Sequence, residues 1–123
     1  MTQPNTVNTE LPPNFTLLNW NIHSLLSNDT DLRLLINDLN PDIIMLSETW
    51  LKPNHIKKFL GYNCYREDRA DSLGYGDLIS LIKTKYKSYP ISLNNTKLLA
   101  KKIETQAFKL VMGNNLELYF VNI

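Results

Sequence analysis

Two apolar runs near the start of the chain predict a pair of buried strands. Residues 15–21 are apolar apart from Thr16, Asn19 and the final asparagine, and residues 42–47 are apolar between an aspartate and a serine. Continuous runs of this kind are typical of strands covered on both faces. We therefore expect both strands to have no solvated face.

The stretch between these runs predicts one helix. After a polar turn over residues 23–28, Asp29 and Thr30 suit a first helical turn. Pro41 ends the helix, because proline disfavours helical geometry in the residue before it. The apolar positions follow the i, i+3, i+4 and i+7 spacing of one helix face: Leu32, Leu35, Ile36 and Leu39. Strand, helix and strand in this order predict a parallel βαβ unit.

After Trp50 the pattern changes to strands and loops. Residues 53–60 have no regular pattern, and residues 67–77 form a charged loop that contains glycine. Period-two alternation over residues 103–112, then Gly-Asn-Asn and a second apolar run, predicts a β-hairpin. The strands predicted in this part cover residues 61–66, 78–83, 86–91, 103–112 and 116–123.

Asn21 and Glu48 end the two predicted parallel strands. The carboxyl ends of such strands lie at one edge of a sheet, where open α/β sheets bind ligands. A carboxylate ending an apolar strand needs a partner, and hard cations take oxygen ligands. The pair therefore predicts a metal site acting on phosphate. Alternatively, Glu48 begins a solvated loop and Asn21 is a turn residue.

Length, charge and cysteine content limit the number of domains, the kinds of partner and the compartment that we expect. With 123 residues, the chain has room for one domain. The net charge of +1 gives no global reason to expect a nucleic-acid partner, so DNA contact would need a local basic patch. No stretch approaches the roughly 18–20 apolar residues of a membrane span. The lone Cys64 fits a reducing, intracellular compartment.

The two ends of the chain differ in character. Residues 1–14 are polar and rich in Asn, Thr and Pro, which predicts a disordered leader before a domain over residues 15–123. Residues 119–123 have the pattern of a buried strand, whereas domain ends are usually polar and exposed. We therefore expect an incomplete domain.

Four sequence blocks follow one another along the chain. The first is Trp-Asn-Ile-His-Ser-Leu at residues 20–25, and the second is Pro-Asp-Ile-Ile-Met-Leu-Ser-Glu-Thr-Trp-Leu at residues 41–51. A Gly-Tyr strand leads to Arg, Asp and Arg over residues 61–69, and a Gly-rich entry leads to Leu-Ile-Lys over residues 74–83. In this order the blocks resemble the endonuclease/exonuclease/phosphatase superfamily. Within it they resemble the N-terminal endonuclease domain of non-LTR retrotransposon proteins of the LINE and jockey-like kind.

The resemblance implies an α/β fold and a chemistry. The fold would be the N-terminal half of a four-layer α/β sandwich of the DNase I-like type, with a βαβ unit followed by antiparallel strands. The chemistry would be Mg²⁺-dependent hydrolysis of phosphodiesters, with Asn21 hydrogen-bonded within the active site and Glu48 as the metal ligand. The family's later catalytic blocks, a tyrosine, Gly-Asp-x-Asn and Ser-Asp-His, have no counterpart in the sequence.

The resemblance also implies a role for the intact family domain. It nicks DNA to prime reverse transcription, with a reverse transcriptase domain downstream and the nucleus as its place of action. Because loss of a general base typically costs ~10²–10⁴ in rate, we expect the isolated chain to have no appreciable nuclease activity. Two alternatives stay open: a non-catalytic DNA- or protein-binding remnant, and a phosphatase of the same superfamily. The exposed edges of a half-domain also predict self-association.

Four basic residues are candidate nucleic-acid contacts: Arg66, Arg69, Lys85 and Lys87. With Lys83, the two lysines recur at strand spacing, which predicts one basic face able to follow a DNA backbone. Alternatively, the lysines protect an edge strand, and the arginines pair with Glu67 and Asp68.

Three residues depart from the family pattern. The resemblance implies a glycine at the position of Asp77 and an apolar residue at the position of Ser80. An aspartate in place of a glycine with positive φ would be strained, and it would need a partner if it were buried. His23 lies where some branches carry an acidic metal ligand. A histidine near a turn is more often a surface residue, so the sequence assigns His23 no catalytic role.

Overall fold

The computed structural model describes residues 13–67, 77–91 and 105–123. The predicted leader, residues 1–14, lies almost wholly outside these ranges, as does most of the charged loop predicted over residues 67–77, including Asp68 and Arg69. A short 3₁₀ turn, Gly113–Asn115, joins the last two strands. In chain order the elements are β1 (Leu17–Asn21), α1 (Leu25–Leu39), β2 (Ile43–Ser47), β3 (Tyr62–Glu67), β4 (Leu78–Lys83), β5 (Lys87–Ile91), β6 (Gln106–Val111) and β7 (Glu117–Asn122).

The first sheet has four strands in the order β1-β2-β4-β3. β1 and β2 are parallel and are joined through α1, which confirms the predicted βαβ unit. β4 pairs antiparallel with both β2 and β3. The central strands β2 and β4 are buried along nearly their whole length, which explains their continuous apolar sequences.

β1 differs from the prediction of a strand covered on both faces. It is an edge strand of the sheet, and exposed residues alternate with half-buried ones along it. Leu18 and Trp20 pack on the helix-side core. Leu17, Asn19 and Asn21 lie on the opposite face and are exposed. The apolar sequence of β1 therefore comes from two sources: the residues of its covered face, and Leu17 on the other face, which is 45% exposed.

The helix begins earlier than its sequence predicts. Ser24 caps it, with its hydroxyl oxygen accepting the backbone N–H of Ser27 at 3.2 Å. Asn28 leaves helical geometry at φ −115° and ψ 15°, so the predicted first turn at Asp29 follows a kink. The end is as predicted: Asn40 adopts the left-handed conformation, and its N–H bonds to the Ile36 carbonyl at 2.8 Å.

One face of the sheet is covered by the helix. Leu25 and Leu32 of α1 are fully buried against Ile44 and Leu46 of β2. Leu39, predicted to lie on the same face, is instead about half exposed. The helix is 15 residues long, and no helix in the described ranges is long and apolar enough to cross a bilayer.

The second sheet has three antiparallel strands in the order β5-β6-β7, which confirms the predicted hairpin between β6 and β7. Its inner face carries Phe108 and Leu110, which pack against Ile43 and Ile82 of the first sheet. Phe120 stacks on Phe108 with ring centroids 5.2 Å apart. Helix, sheet and sheet form three layers, so the α/β class and the partial DNase I-like architecture are confirmed.

A buried polar cluster links the two sheets. The Ser80 hydroxyl donates to Gln106 Oε1 at 2.7 Å. The Asn122 amide donates to the carbonyls of Leu46 and Ile79 at 3.0 and 3.2 Å. Ser80, expected to be apolar, is therefore tolerated in the core because its hydroxyl has a partner in the facing sheet.

Candidate functional site

The carboxyl ends of β1 and β2 lie at the same edge of the first sheet. In the parallel register Asn21 is opposite Ser47, the residue before Glu48. The Ile22 N–H extends the ladder to the Ser47 carbonyl at 3.0 Å. The predicted meeting of the two strand ends is observed, while the catalytic roles of Asn21 and Glu48 stay predictions.

Asn21 is solvent-exposed at this edge. It lies on the face of β1 away from the helix. Within the described residues, no hydrogen bond joins its side chain to that of Glu48. Its amide is therefore accessible to a ligand approaching the edge of the sheet.

Glu48 sits just after β2 with a left-handed backbone, φ 52°. Its carbonyl accepts the Ser24 N–H at 3.0 Å, which fixes the main chain of the two loops against each other. Its side chain is 41% exposed, and Oε2 lies 3.2 Å from His23 Nδ1. The carboxylate thus has one ionic partner and open access to solvent.

His23 is the partner of Glu48 that sequence reasoning missed. Its ring is 63% exposed, as expected of a turn histidine, and contacts Trp50 edge-on with centroids 5.9 Å apart. Two sequence signals concerned this position: His23 comes two residues after Asn21, in the loop that faces the end of β2, and the resemblance implies an acidic metal ligand at this place in some branches of the family. Residue type alone gave no reason to pair it with Glu48.

Left-handed backbone is concentrated at this edge. His23 and Ser24 have φ of 47° and 82°, and Trp50 has φ of 56°. Asp77 has φ of 75°, which agrees with the expectation that its position favours glycine. Its carbonyl accepts the Thr49 N–H at 3.3 Å. Non-glycine residues in this region cost of order 1–3 kcal/mol each and cluster at functional sites.

Asn28 holds the His23 loop in place. Its side-chain amide donates to the carbonyls of Ile22, His23 and Ser24 at 2.9, 3.3 and 3.1 Å. The same residue breaks helical geometry within α1. At the kink, the Asn28 side chain therefore donates to carbonyls of the turn that contains His23 and Ser24. The sequence pattern did not indicate this role for Asn28.

The opposite edge of the sheet carries a second charged cluster. Asp42 Oδ2 accepts the Thr16 N–H and Oδ1 accepts the Tyr86 hydroxyl, both at 2.8 Å. Lys83 and Lys85 each place Nζ 3.8 Å from Oδ1. Burial acts to raise the pKa of Asp42, but these hydrogen bonds and cations outweigh it and lower the pKa. Burial and the Asp42 contact raise the pKa of the Tyr86 hydroxyl.

The predicted basic face is wrong. Lys83 ends β4, Lys85 lies in the following turn, and Lys87 begins β5 in the other sheet. Their spacing therefore does not place them on one strand. Asp42, which Lys85 contacts, is six residues from Glu48, roughly 20 Å along a strand. Lys85 is at the wrong edge to reach a phosphate bound at Glu48, and its contact with nucleic acid stays a prediction, as does that of Lys87.

The Arg66 side chain hydrogen-bonds to the irregular segment that follows Trp50. Its guanidinium donates to the carbonyl of His55 and, at 3.1 Å, to that of Lys52. It therefore holds the irregular segment after Trp50 to the end of β3. Arg69 lies outside the described residues, so both predicted arginine contacts with nucleic acid stay untested.

The donor set at the Glu48 edge fits a divalent ion only in part. Glu48 and His23 supply one oxygen and one nitrogen within 3.2 Å of each other. Within residues 13–67, 77–91 and 105–123, no group of three or more His, Cys, Asp or Glu side chains could hold a metal. An ion here would complete its coordination with water or a bound phosphate, as Mg²⁺ sites commonly do.

Comparison with solved structures identifies the fold. The chain is similar to the catalytic domain of APE2 from Xenopus laevis, with a TM-score of 0.58 and 16% identity over 85% of this chain and 42% of that one. It is similar to the Neisseria 3′ phosphatase NExo, solved with a product DNA hairpin, with a TM-score of 0.54 and 16% identity over 84% of this chain and 39% of that one. The chain has part of the DNase I-like fold.

A third neighbour has the same architecture. It is a humanized TDP2 from D. rerio, with a TM-score of 0.51 and 21% identity over 87% of this chain and 48% of that one. These neighbours are members of the endonuclease/exonuclease/phosphatase superfamily, and the chain spans less than half the length of each. No protein-family model matches the sequence, and no curated protein matches it either.

Proposed function

We propose that this chain supplies part of the active site of a metal-dependent phosphodiesterase that acts on DNA. The observation that carries the proposal is the position of Glu48. It is a partly exposed carboxylate on left-handed backbone, at the carboxyl edge of the parallel pair β1–β2. Ligands of open α/β sheets bind at this edge, and residues held in such backbone conformations cluster at functional sites.

Each residue at this edge has a role in the proposal. Glu48 would hold Mg²⁺ through one carboxylate, with water and phosphate oxygens as the remaining ligands. When bound, the ion would neutralise charge on the phosphate that is attacked. Asn21, exposed on the adjacent strand, would donate its amide to a phosphate oxygen.

The four sequence blocks support a finer proposal. They resemble the N-terminal endonuclease domain of non-LTR retrotransposon proteins, whose role is to nick DNA and prime reverse transcription. A reverse transcriptase domain would then be the partner in cis, and the nucleus the place of action. The support for this step comes from the sequence, particularly Glu-Thr-Trp-Leu at residues 48–51.

The chain would need further residues to cut DNA. It covers less than half of each solved neighbour, and the described residues offer only Glu48 and His23 as close metal donors. A general base typically contributes 10²–10⁴-fold in rate. We therefore propose that the 123-residue chain alone binds DNA at a metal-loaded Glu48 without cleaving it.

Fluorescence anisotropy with a labelled DNA hairpin tests the proposal. The full chain is titrated in Mg²⁺ and in EDTA, alongside Glu48→Ala. The matched control is Asp38→Ala, which removes an exposed carboxylate of the helix. We expect Mg²⁺ to strengthen binding for the unsubstituted chain and for Asp38→Ala, but not for Glu48→Ala.

Other outcomes separate the alternatives. Binding that ignores Mg²⁺ and Glu48 but weakens with salt and on Lys85→Ala or Lys87→Ala would favour a non-catalytic DNA-binding remnant. Nicking of supercoiled plasmid that is lost in Glu48→Ala would support the phosphodiesterase and overturn the inactivity of the isolated chain. Release of phosphate from a 3′-phosphorylated hairpin without strand cleavage would favour a phosphatase.

A further inference from the structure

The strand β7 lies at an edge of the second sheet and lacks the features that usually protect such an edge. It pairs with β6 on one side, and within the described ranges no strand pairs with its other side. That side carries main-chain N–H and C=O groups to which a further strand can bond. The only charged residue of β7 is Glu117 at its start, and the residues that follow are Leu-Tyr-Phe-Val-Asn-Ile.

Most side chains of β7 are apolar on both faces of the sheet. Tyr119 and Val121 lie on the outer face and are 63% and 52% exposed. Leu118 and Phe120 lie on the inner face, half-buried at the border of the core between the two sheets. An uncharged six-residue segment rich in strand-forming residues, without proline or glycine, is typical of strands that pair with copies of themselves. A strand added beside β7 would also extend the cover of this core.

The three other sheet edges have features that oppose pairing. β5 begins with Lys87 and contains Pro90, which has no N–H to donate to a neighbouring strand. β3 ends with Arg66 and Glu67, and Arg66 holds an irregular segment against that end. β1 carries two asparagines on its exposed face, and asparagine is depleted in strands. β7 is therefore the edge best suited to receive a strand.

We propose that two copies of this chain form a dimer by antiparallel pairing of β7 with β7. Because the other edges oppose pairing, the β7 strands of two copies meet each other, and a two-fold axis closes the assembly at two chains. The second sheet then continues through six strands, β5-β6-β7 from each copy. Self-association, expected of exposed edges in general, is thereby placed at one strand. The dimer goes beyond the proposed function, because no residue of the Glu48 edge takes part in it.

The position of Glu117 selects the register of the pair. With the two-fold axis at Phe120, each Glu117 lies at an end of the paired stretch, opposite Ile123 of the second copy. Tyr119 then lies opposite Val121 of the second copy on the outer face. An axis at Tyr119 would instead bring each Glu117 opposite Val121 within the stretch, where a carboxylate would face an apolar side chain.

Sedimentation velocity of the full chain over a wide range of concentration tests the proposal. We expect a monomer–dimer equilibrium. Val121→Lys places a charge on the paired stretch, as natural edge strands do to prevent pairing, and should weaken dimerisation at least about tenfold. The matched control is Tyr89→Lys, which replaces an exposed tyrosine on β5, at the opposite edge of the same sheet. It should leave the dimer unchanged.

A pair of opposite charges tests the register. Tyr119→Glu alone should also weaken dimerisation. Mixing the Tyr119→Glu chain with the Val121→Lys chain should restore a dimer of one copy each, because the introduced carboxylate and ammonium lie opposite each other on adjacent strands. Circular dichroism checks that each variant keeps the fold. Hydrogen exchange of the unsubstituted chain needs no variant, and at residues 117–123 it should slow as the concentration rises.

The outcomes separate the dimer from its alternatives. A chain that stays monomeric up to millimolar concentration would overturn the proposal, as would a dimer that Val121→Lys leaves unchanged or that Tyr89→Lys weakens equally. Species larger than a dimer would mean pairing between different edges and would also overturn it. A mixture of the two charged variants that stays monomeric would overturn the register. Since Glu48 takes no part, Mg²⁺-dependent DNA binding tests the proposed function separately.

Discussion

The acidic residues at the two ends of the strand β2 differ in burial and in the number of their partners. Asp42, before the strand, has a side chain only 9% exposed, with two hydrogen bonds and two lysines around it. Glu48, after the strand, is 41% exposed and has His23 as its ionic partner. A buried carboxylate with a hydrogen bond to each oxygen and two cations beside it contributes to stability. One with unused oxygens at an open edge is available to a ligand.

The backbone conformations at the Glu48 edge and the Asp42 edge also differ. The Glu48 edge holds His23, Ser24, Glu48, Trp50 and Asp77 at positive φ. The residues at positive φ near Asp42 are Asn14 and Asn40, and asparagine adopts this conformation more readily than most other residues. Strain of this kind persists only where the surrounding structure imposes it. The comparison therefore assigns a structural role to the Asp42 edge and a ligand-binding role to the Glu48 edge.

Removing the two carboxylates should separate these roles most clearly. Asp42→Ala leaves the Tyr86 hydroxyl and the Thr16 N–H without their acceptor. We expect a loss of about 3 kcal/mol in the free energy of unfolding, since hydrogen bonds to charged groups contribute about 1.5–3 kcal/mol each. Glu48→Ala is the matched change and should stay within about 0.5 kcal/mol, because the Glu48 side chain is 41% exposed. Urea unfolding followed by tryptophan fluorescence measures both, and equal losses would break the comparison.

Asn28 should matter for the shape of the Glu48 edge. Asn28→Ala removes the donor to three carbonyls of the His23 turn, and we expect a loss of about 1–2 kcal/mol. Hydrogen exchange should rise at residues 22–25 more than at the Asp42 edge. Asn37→Ala, an exposed helix position, controls for the change in helix propensity and should leave exchange at the turn unaltered.

Acid should weaken the Asp42 edge selectively. Since the pKa of Asp42 is lowered below its usual value of 3.8 in the folded chain, the unfolded chain binds that proton more readily. The contribution of Asp42 to stability is therefore present above about pH 4 and lost as pH falls through the lowered pKa. Asp42→Asn should lose less stability on acidification than the unsubstituted chain.

Asp29 also contributes to the pH dependence of stability measured in that experiment. Burial acts to raise its pKa, but its hydrogen bonds to Arg33 and Lys57 outweigh this and lower it. Both chains therefore keep an acid dependence from Asp29, and the difference between them isolates Asp42. Identical acid profiles for the two chains would show that the Asp42 contacts add nothing to stability.

Sequence alone was sufficient for the elements whose causes are local. The period-two alternation of the hairpin, the proline after the helix and the apolar runs of β2 and β4 each depend on neighbouring residues. The helix end, β2 and β4 agree with the prediction, and β6 occupies Gln106–Val111 within the predicted range 103–112, of which residues 103 and 104 lie outside the described residues. The coming together of Asn21 and Glu48 followed from one topological rule, that a βαβ unit brings parallel strand ends to one edge.

What the sequence missed depends on contacts distant in the chain. β1 has the composition of a central strand, and only the sheet order places it at an edge. Ser80 and Gln106 are 26 residues apart and meet only because two sheets pack. The pairing of His23 with Glu48 likewise follows from two loops whose left-handed turns no pattern of hydrophobicity encodes.

Thr49 offers the smallest and sharpest test of the comparison. Its hydroxyl oxygen is buried beside Glu48 and has no hydrogen-bond partner among the described residues, whereas both oxygens of Asp42 are bonded. Replacing an unsatisfied hydroxyl with a methyl group of similar shape is neutral or stabilising, so Thr49→Val should raise the free energy of unfolding by about 0–1 kcal/mol. Thr49→Ser keeps the hydroxyl and removes the methyl, and should cost about 1 kcal/mol. If instead valine were the more damaging change, the Thr49 hydroxyl would have a partner in solution. The polar groups of the Glu48 edge would then be as fully satisfied as those around Asp42, and the structural distinction between the two edges would fail.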